Sequence, residues 1–227
     1  MSTLLAEDVL LLMLDDESGA FVAADKVRPA LAGAVLAELA LGGAVEVEAG
    51  KGLWRRAHVV VDDAATEVLD PLLQGLIEHI GEKRRSPQDL VNRLGKDLPD
   101  QLCARLAARG LLRREESKVL GLFPKTRWPA ADRQHEEGLR AALQRALVQG
   151  EEPDERTATV IAVLTAADVL PKVVNRGSMS KRELKNRAEQ IAAAGWATEA
   201  VRKAIQAAQA AVTAAVTAST VAAVSGS

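Results

Sequence analysis

Histidine and cysteine, the side chains that most often carry catalytic or metal chemistry, are few in this chain and stand far apart. His58 falls in a valine run, His79 near a predicted helix end, and His135 beside two glutamates. None of them has the spacing to another histidine or cysteine that a metal site requires. Cys103 stands in QLCARL without the histidine pattern of a nucleophile. We therefore expect no catalytic residue, no metal and no cofactor, and we predict that the protein is not an enzyme.

Polyanion binding has little support from composition. Gly50-Lys51-Gly52 is short and lies between two predicted strands, whereas a phosphate-binding loop opens a helix. The chain carries 29 Lys and Arg against 31 Asp and Glu, a net charge of -2, and only 2% aromatic residues. It therefore lacks both a global positive field and many platforms on which bases could stack. We expect any polyanion site to be a local patch.

The element that must position such a patch is an apolar helix ending at a Gly-Gly pair. Glu38 is the one charge between Pro29 and Leu41, so this helix is expected to be buried on nearly every side. Gly33 lies within it at a cost of ~1 kcal/mol against Ala, and we expect it to admit another backbone at close range. Val45 and Val47 then alternate with glutamates, which indicates a half-exposed strand.

The remaining periodicities predict a single, mainly α domain over residues 1–227 with two short β-hairpins. The hairpins are expected near Ala44 to Asp62 and Leu111 to Thr126, where β-branched runs lie between turn signals. Ser2 or Thr3 is expected to cap the first helix, and two short helices flank Gly95 to Pro99. The longer helices are predicted over Thr66 to Ile80, Ala131 to Gln149, Asp154 to Val173, Lys181 to Ala194 and Thr198 to Val224.

The C-terminal segment, about 205–227, is rich in alanine and has no charge. It is less apolar than the Leu- and Ile-rich sequence of a membrane span. Ile205, Ala208, Val212 and Val216 form a helical stripe, so we expect a helix that packs on its own domain and frays at its end. The acidic N-terminus and single cysteine favour the cytoplasm over secretion.

Four blocks follow one another along the chain: LLAEDVLLLMLDDESGAF, LAGAVLAELALGGAVEVE, LAARGLLRREE and LGLFPKTRWP. In their order and spacing they resemble the Golgi phosphoprotein 3 family, and the resemblance covers most of the chain up to about Val173. This resemblance implies a central helical bundle ringed by amphipathic helices, with a protruding β-hairpin. Eukaryotic members bind phosphatidylinositol 4-phosphate at the Golgi and use the hairpin for membrane insertion and self-association. The alanine-rich composition resembles that of a bacterial member.

The resemblance transfers the family's lipid site incompletely. Lipid-binding members place a Trp in the loop before the helix that here spans Pro29 to Leu41, where this chain has Ala23. They place an Arg immediately before the glycine that corresponds to Gly33, where this chain has Ala32. Two further family arginines align with Lys96 and Pro99. Arg28, one turn before Ala32, and Arg93, one turn before Lys96, are candidate substitutes. The candidate lipid-binding residues are therefore Arg28, Arg93 and Lys96.

The second candidate contact is the hairpin, whose apolar residues Leu120, Leu122, Phe123 and Trp128 could enter a membrane. In the alternative, Phe123 and Trp128 pack on the domain or across a dimer interface. We expect a peripheral module on the inner face of the plasma membrane, with general anionic-lipid affinity, little phosphatidylinositol 4-phosphate preference, and self-association through the hairpin.

A different interpretation is a winged-helix nucleic-acid binder or a scaffold. Helix, turn, helix and hairpin follow one another, with Arg105 and Arg109 on the second helix. The hairpin adds Lys118, Lys125 and Arg127. Against nucleic acid, Leu102, Leu106 and Ala107 make that helix largely apolar, and the chain is net acidic.

Overall fold

A computed structural model describes residues 3–48, 57–62, 70–119, 123–194 and 199–225. Helices dominate these residues, and the strands form two small antiparallel pairs. The helices are α1 (Leu5–Met13), α2 (Ala24–Leu41), α3 (Pro71–Gly81), α4 (Pro87–Leu94), α5 (Leu98–Ala108), α6 (Gln134–Gln144), α7 (Glu155–Ala166), α8 (Leu170–Val173), α9 (Lys181–Ala193) and α10 (Glu199–Ser225), with a π-helical turn at Arg145–Gln149. The strands are β1 (Val45–Glu48), β2 (His58–Val61), β3 (Glu115–Val119) and β4 (Phe123–Arg127). The predicted mainly α fold with two hairpins is confirmed.

Helix α2 is the centre of the core, as its apolar sequence predicts. It contacts α1, α4, α5, α7 and α10, and Leu31, Val35 and Leu39 are at most 1% exposed. The expectation for Gly33 needs correction, because the group that approaches it is a side chain. A Cβ on Gly33 would lie 2.4 Å from Cγ2 of Val212 in α10, and among the described residues no other backbone comes within 4 Å.

Helix α10 packs along α2 and also contacts α4, α7 and β1. Its predicted stripe is buried, with Ile205, Ala208, Val212 and Val216 between 0% and 8% exposed. From Ile205 to Val216 the segment therefore packs against the rest of the described chain. Small side chains on α10 allow it to lie close to α2.

Two predicted helix starts are wrong, and both misplace the N-cap. Leu4 is the N-cap of α1, and its N–H donates to Glu7 Oε2 at 2.8 Å, so Thr3 is not the cap. Ser2 lies outside the described residues. Asp70 caps α3 by accepting from the N–H of Leu72 at 2.9 Å. Pro71 is the first residue of α3, where its fixed φ and missing N–H cost nothing. The helix α3 thus begins later than predicted, and Thr66 itself lies outside the described residues.

The predicted helix from Asp154 to Val173 is interrupted. α7 ends near Ala167, and Asp168 adopts φ +52°, which reverses the chain before the short α8. The helix predicted over Ala131 to Gln149 begins at Gln134 and ends in the π-helical turn. The capping box that predicted the start of α9 is present: Ser180 accepts from the N–H of Glu183, and Glu183 accepts from the N–H of Ser180.

The two hairpins are anchored differently. In the first, Val45 lies opposite Val61, and Val59 also pairs with Arg85. In the second, Glu115 lies opposite Arg127, and the segment after β4 joins the α1–α2 loop: Trp128 N–H donates to Gly19 O at 3.1 Å and Ala130 N–H to Asp16 O at 3.2 Å. Gly50-Lys51-Gly52 lies outside the described residues.

Candidate functional site

Arg28 and Lys96 line one surface cleft of about 500 Å³, although they are far apart in sequence. Arg28 belongs to the second turn of α2, and Lys96 to the turn between α4 and α5. Both side chains are exposed at the mouth, while Val27 and Val91 are buried in the same lining. The cleft therefore offers two cations above an apolar base.

A close backbone contact holds the two sides of this cleft together. A Cβ on Gly95 would lie 2.7 Å from the carbonyl oxygen of Arg28, so only glycine lets the α4–α5 turn approach α2 this closely. Pro29 follows Arg28 inside α2 and has no N–H to donate to the carbonyl of Asp25 one turn earlier. The backbones of α2 and of the α4–α5 turn therefore meet directly at Arg28 and Gly95.

The charges in the cleft are balanced. Arg28 and Lys96 face a lining that also contains Asp25 and Asp100, and Asn92 adds a neutral amide. Within the described ranges neither Arg28 nor Lys96 forms an ion pair. A phosphate diester with one negative charge suits such a cleft better than a highly charged phosphomonoester, because the two carboxylates repel added negative charge.

Arg93, the third candidate, is engaged elsewhere. Its Nε donates to both carboxylate oxygens of Asp89 at 3.0 Å, one turn earlier on α4. It does not line the cleft, where the neighbouring Asn92 does. The structure thus brings Arg28 and Lys96 together and places Arg93 beside them in a local ion pair.

The arginines proposed for a winged helix are bound to carboxylates. Arg105 donates from Nε to Glu7 at 3.2 Å and from Nη2 to Asp70 at 2.7 Å, and Arg109 donates to Glu7 at 2.9 Å. Glu7 is fully buried in α1. These guanidinium groups therefore neutralise a buried acid and hold α5 against α1.

A second buried acid, Asp8, joins α1 to α6 and α7. It accepts from Arg156 Nη2 at 2.6 Å and lies 2.7 Å from His135 Nε2. Arg156 also lies 3.8 Å from Glu38 Oε1, and burial raises the pKa of Glu38 to about 7 despite this neighbour and the N–H of Leu5. Sequence reasoning missed this network, although the adjacent acids in LLAEDVLLLML were a visible signal.

The carboxyl groups of Asp16, in the α1–α2 loop, and Glu136, in α6, lie next to each other. Burial, and then the hydrogen bond with Asp16, raise the pKa of Glu136 to about 7, against the opposing effect of Arg140. Asp16 Oδ1 is buried without a hydrogen-bond partner among the described residues. Protonation of Glu136 avoids placing a second negative charge, in a buried position, beside Asp16.

The hairpin residues divide into two groups. Trp128 is 9% exposed and belongs to the hydrophobic core, with Arg114 stacked 5.9 Å from its ring centroid. This position agrees with the alternative in which Trp128 packs on the domain. Phe123 begins β4, and Leu120 and Leu122 lie outside the described residues.

A family model described as Golgi phosphoprotein 3 matches residues 5–208 of the chain. The protein belongs to the Golgi phosphoprotein 3 family. The match covers α1 through the first part of α10, so it includes both walls of the cleft. No curated protein matches the chain.

The two positions at which Golgi phosphoprotein 3 lipid binders carry anchors have no polar side chain here. Ala23 is 4% exposed and Ala32 is fully buried. Ala32 lies next to Gly33, where α2 and α10 are in close contact. In this chain both alanines are packed in the core, and the basic residues that line the cleft are Arg28 and Lys96.

In the described part of this Golgi phosphoprotein 3 member, every helix is too short or too polar to cross a membrane. Over the same residues, no group of three or more His, Cys, Asp or Glu side chains could hold a metal ion.

Proposed function

We propose that this Golgi phosphoprotein 3 family member is a peripheral membrane-binding module whose cleft between α2 and the α4–α5 turn takes an anionic lipid headgroup. The observation that carries this proposal is the convergence of two cations, Arg28 and Lys96, neither of which is paired within the described ranges. The role is one of binding, without chemistry on the lipid.

Affinity at this cleft should be modest and weakly selective. Each basic residue near an anionic surface contributes ~1 kcal/mol, and added salt screens it. Asp25 and Asp100 in the lining oppose a second or third headgroup charge. Ala23 and Ala32 add no donor. We therefore propose general affinity for anionic lipid with little preference for phosphatidylinositol 4-phosphate.

The nucleic-acid alternative loses its two principal contacts. Arg105 and Arg109 are committed to Glu7 and Asp70, and releasing them would leave a fully buried carboxylate unpaired. This cost favours a lipid headgroup at Arg28 and Lys96 over a phosphate backbone at α5.

Vesicle co-sedimentation tests the proposal. The full chain is mixed at low salt with phosphatidylcholine vesicles alone, and with vesicles that also contain phosphatidylglycerol or phosphatidylinositol 4-phosphate. We expect binding to both anionic preparations, at least about fivefold weaker for Arg28→Glu and for Lys96→Glu. Arg145→Glu, the same charge change at an exposed position outside the cleft, serves as the control.

Three results would contradict the proposal. They are an absence of binding to anionic vesicles, equal losses for all three charge reversals, and strong selectivity for phosphatidylinositol 4-phosphate. A duplex DNA shift at matched salt, if it exceeded vesicle binding, would favour the nucleic-acid alternative.

A further inference from the structure

A larger groove lies away from the α2–α4 cleft, where α7, α8, α9 and α10 meet. Its volume is about 870 Å³, within the range of ~300–1,000 Å³ typical of small-molecule sites. Leu170 and Leu184 are buried in its lining, and Thr213 of α10 donates to Ala166 O at 3.2 Å across it. Ala193 and Ala210 line it while remaining exposed, so the groove is open to solvent.

The lining of the groove carries basic side chains at the N-terminal end of α9 and alanines at its C-terminal end. Lys181 and Arg182 lie in the first turn of α9, and Ala192 and Ala193 in its last turn. A helical rise of 1.5 Å per residue places Arg182 and Ala193 about 17 Å apart. The cationic and small apolar parts of the lining are therefore separated along one helix.

The acidic residues in the lining do not neutralise the charges of Lys181 and Arg182, because each of them is paired with another lysine. Asp168 is paired with Lys26, which lies outside the groove, at 2.9 Å. Glu189 is paired with Lys185 at 3.8 Å. Over the residues that the structure describes, Lys181 and Arg182 form no ion pair. Two positive charges thus remain available at one end of the groove, and Ala192 and Ala193 line the other end.

We propose that this groove binds a single-chain anionic amphiphile of the fatty-acid class, with its carboxylate at Lys181 and Arg182 and its acyl chain along α9 toward Ala193. One leaflet of a bilayer's ~30 Å hydrocarbon core is about 15 Å deep, which is the length of one acyl chain. The distance along α9 matches this length. The ligand therefore satisfies both ends of the groove.

This binding site is separate from the proposed headgroup cleft and shares no lining residue with it. Loss of either activity would leave the other in place. The same variants can accordingly be measured in both assays, so that failure of one proposal is distinguishable from failure of the other.

Palmitate, titrated into the full chain below its micelle concentration and followed by calorimetry, is the probe. We expect one saturable site per chain. The double reversal Lys181→Glu/Arg182→Glu should weaken it by at least about tenfold, because the carboxylate loses both charged partners. Ala210→Trp should abolish binding by filling the groove, and Ala193→Phe should weaken it at the apolar end.

Matched controls separate these effects from general changes. Arg145→Glu controls for charge and Ala141→Trp, at an exposed position on α6, controls for size; both should bind palmitate as the unaltered chain does. Thermal unfolding is recorded for each variant, and Ala193→Phe together with the charge reversal tests the proposal if Ala210→Trp fails to fold.

The proposal is overturned by an absence of saturable palmitate binding, or by binding that is indifferent to all the groove variants. Equal affinity for palmityl alcohol would show that Lys181 and Arg182 have no part in it. Capture of an acidic amphipathic peptide without palmitate binding would assign the groove to a protein partner. Vesicle co-sedimentation of the groove variants should be unchanged.

Discussion

Glu38 shows at the scale of one residue how burial alters a carboxyl group. Its side chain is 18% exposed, accepts from the N–H of Leu5 at 2.8 Å and lies near Arg156. Desolvation still dominates and raises its pKa from 4.5 to about 7. Between pH 4.5 and about 7, Glu38 is therefore protonated in the folded protein and ionised in the unfolded chain.

This difference predicts that the free energy of unfolding falls as pH rises from about 5 to 8. Glu136 contributes in the same direction, because its pKa is also raised to about 7. Glu38→Gln should flatten the fall by up to about 3 kcal/mol, since an amide keeps the Leu5 hydrogen bond without titrating. Urea unfolding at several pH values measures this, with the exposed Glu78→Gln as control. An unchanged slope in Glu38→Gln would refute the prediction.

The absence of a side chain at Gly33 is explained by a single neighbour, Val212. Gly33→Ala would place a methyl group 2.4 Å from Val212 Cγ2, and Val212 is fully buried and stiff at χ1. We expect the variant to lose ~1–3 kcal/mol of stability through overpacking, despite its better helix propensity.

The double variant Gly33→Ala/Val212→Ala provides the check. Removing the valine methyl groups makes room for the new one, so the two changes should be strongly non-additive in chemical denaturation. Additive losses, or a rise in melting temperature for Gly33→Ala alone, would show that this contact does not limit α2.

At this scale the sequence indicated that Gly33 serves packing, but not which group lies against it. Helical periodicity defines a face and leaves the partner to tertiary structure. The same holds for Arg28 and Lys96: their charges are visible in the sequence, whereas their meeting depends on Gly95 approaching Arg28.

At the scale of elements, buried acids on α1 bind arginines from α5 and α7. The sequence alone assigned no role to the two acids of α1, and the winged-helix alternative placed Arg105 and Arg109 on its recognition helix. The pairing of these groups has one physical reason. A buried carboxylate must be paired, and its partner can come from far along the chain.

Glu7→Gln should therefore destabilise the protein by roughly 1.5–3 kcal/mol, because the buried carboxylate that accepts charge-assisted hydrogen bonds from Arg105 and Arg109 becomes a neutral amide. Glu116→Gln is the comparison: its pair with Arg114 is exposed on both sides, at 61% and 69%, and should contribute under ~1 kcal/mol. Both are measured by urea unfolding. Equal effects would mean that the α1 network is no stronger than a surface pair.

Element boundaries were predicted best where a local signal decides them. Ser180 and Glu183 form their capping box, and the start of α9 follows from it. The break at Asp168 was missed because a non-glycine residue with positive φ carries little sequence signal; here its carboxylate is held by Lys26 of α2, a contact that arises only in the folded chain.

At the scale of the whole molecule, α10 closes the bundle along α2. Val212→Asp should remove ~3 kcal/mol or more, because it buries an unpaired carboxyl at the α2 contact. Ala214→Asp, an exposed position on the same helix, should have little effect. Thermal unfolding followed by circular dichroism tests this, and equal melting temperatures would show that α10 is dispensable.

The mainly α architecture was predictable because most helices carry strong apolar periodicity, and turn residues separate the hairpin strands. The cleft and the larger groove were not predictable, because each is formed by elements that meet only through tertiary packing. Residues such as Lys181 and Ala193 are ordinary surface positions until α10 is placed beside α9.

The π-helical turn at Arg145–Gln149 has a consequence for how related chains vary in length. Such a turn is the form an α-helix takes where it accommodates one extra residue. Arg187 of α9 donates to the carbonyls of Ala146, Gly150 and Glu151 that this turn exposes, at 3.1 to 3.2 Å. Deleting one residue would rotate the C-terminal end of the helix by about 100° and turn those carbonyls away. Related chains that lack this residue should therefore have no need of an arginine at the position of Arg187.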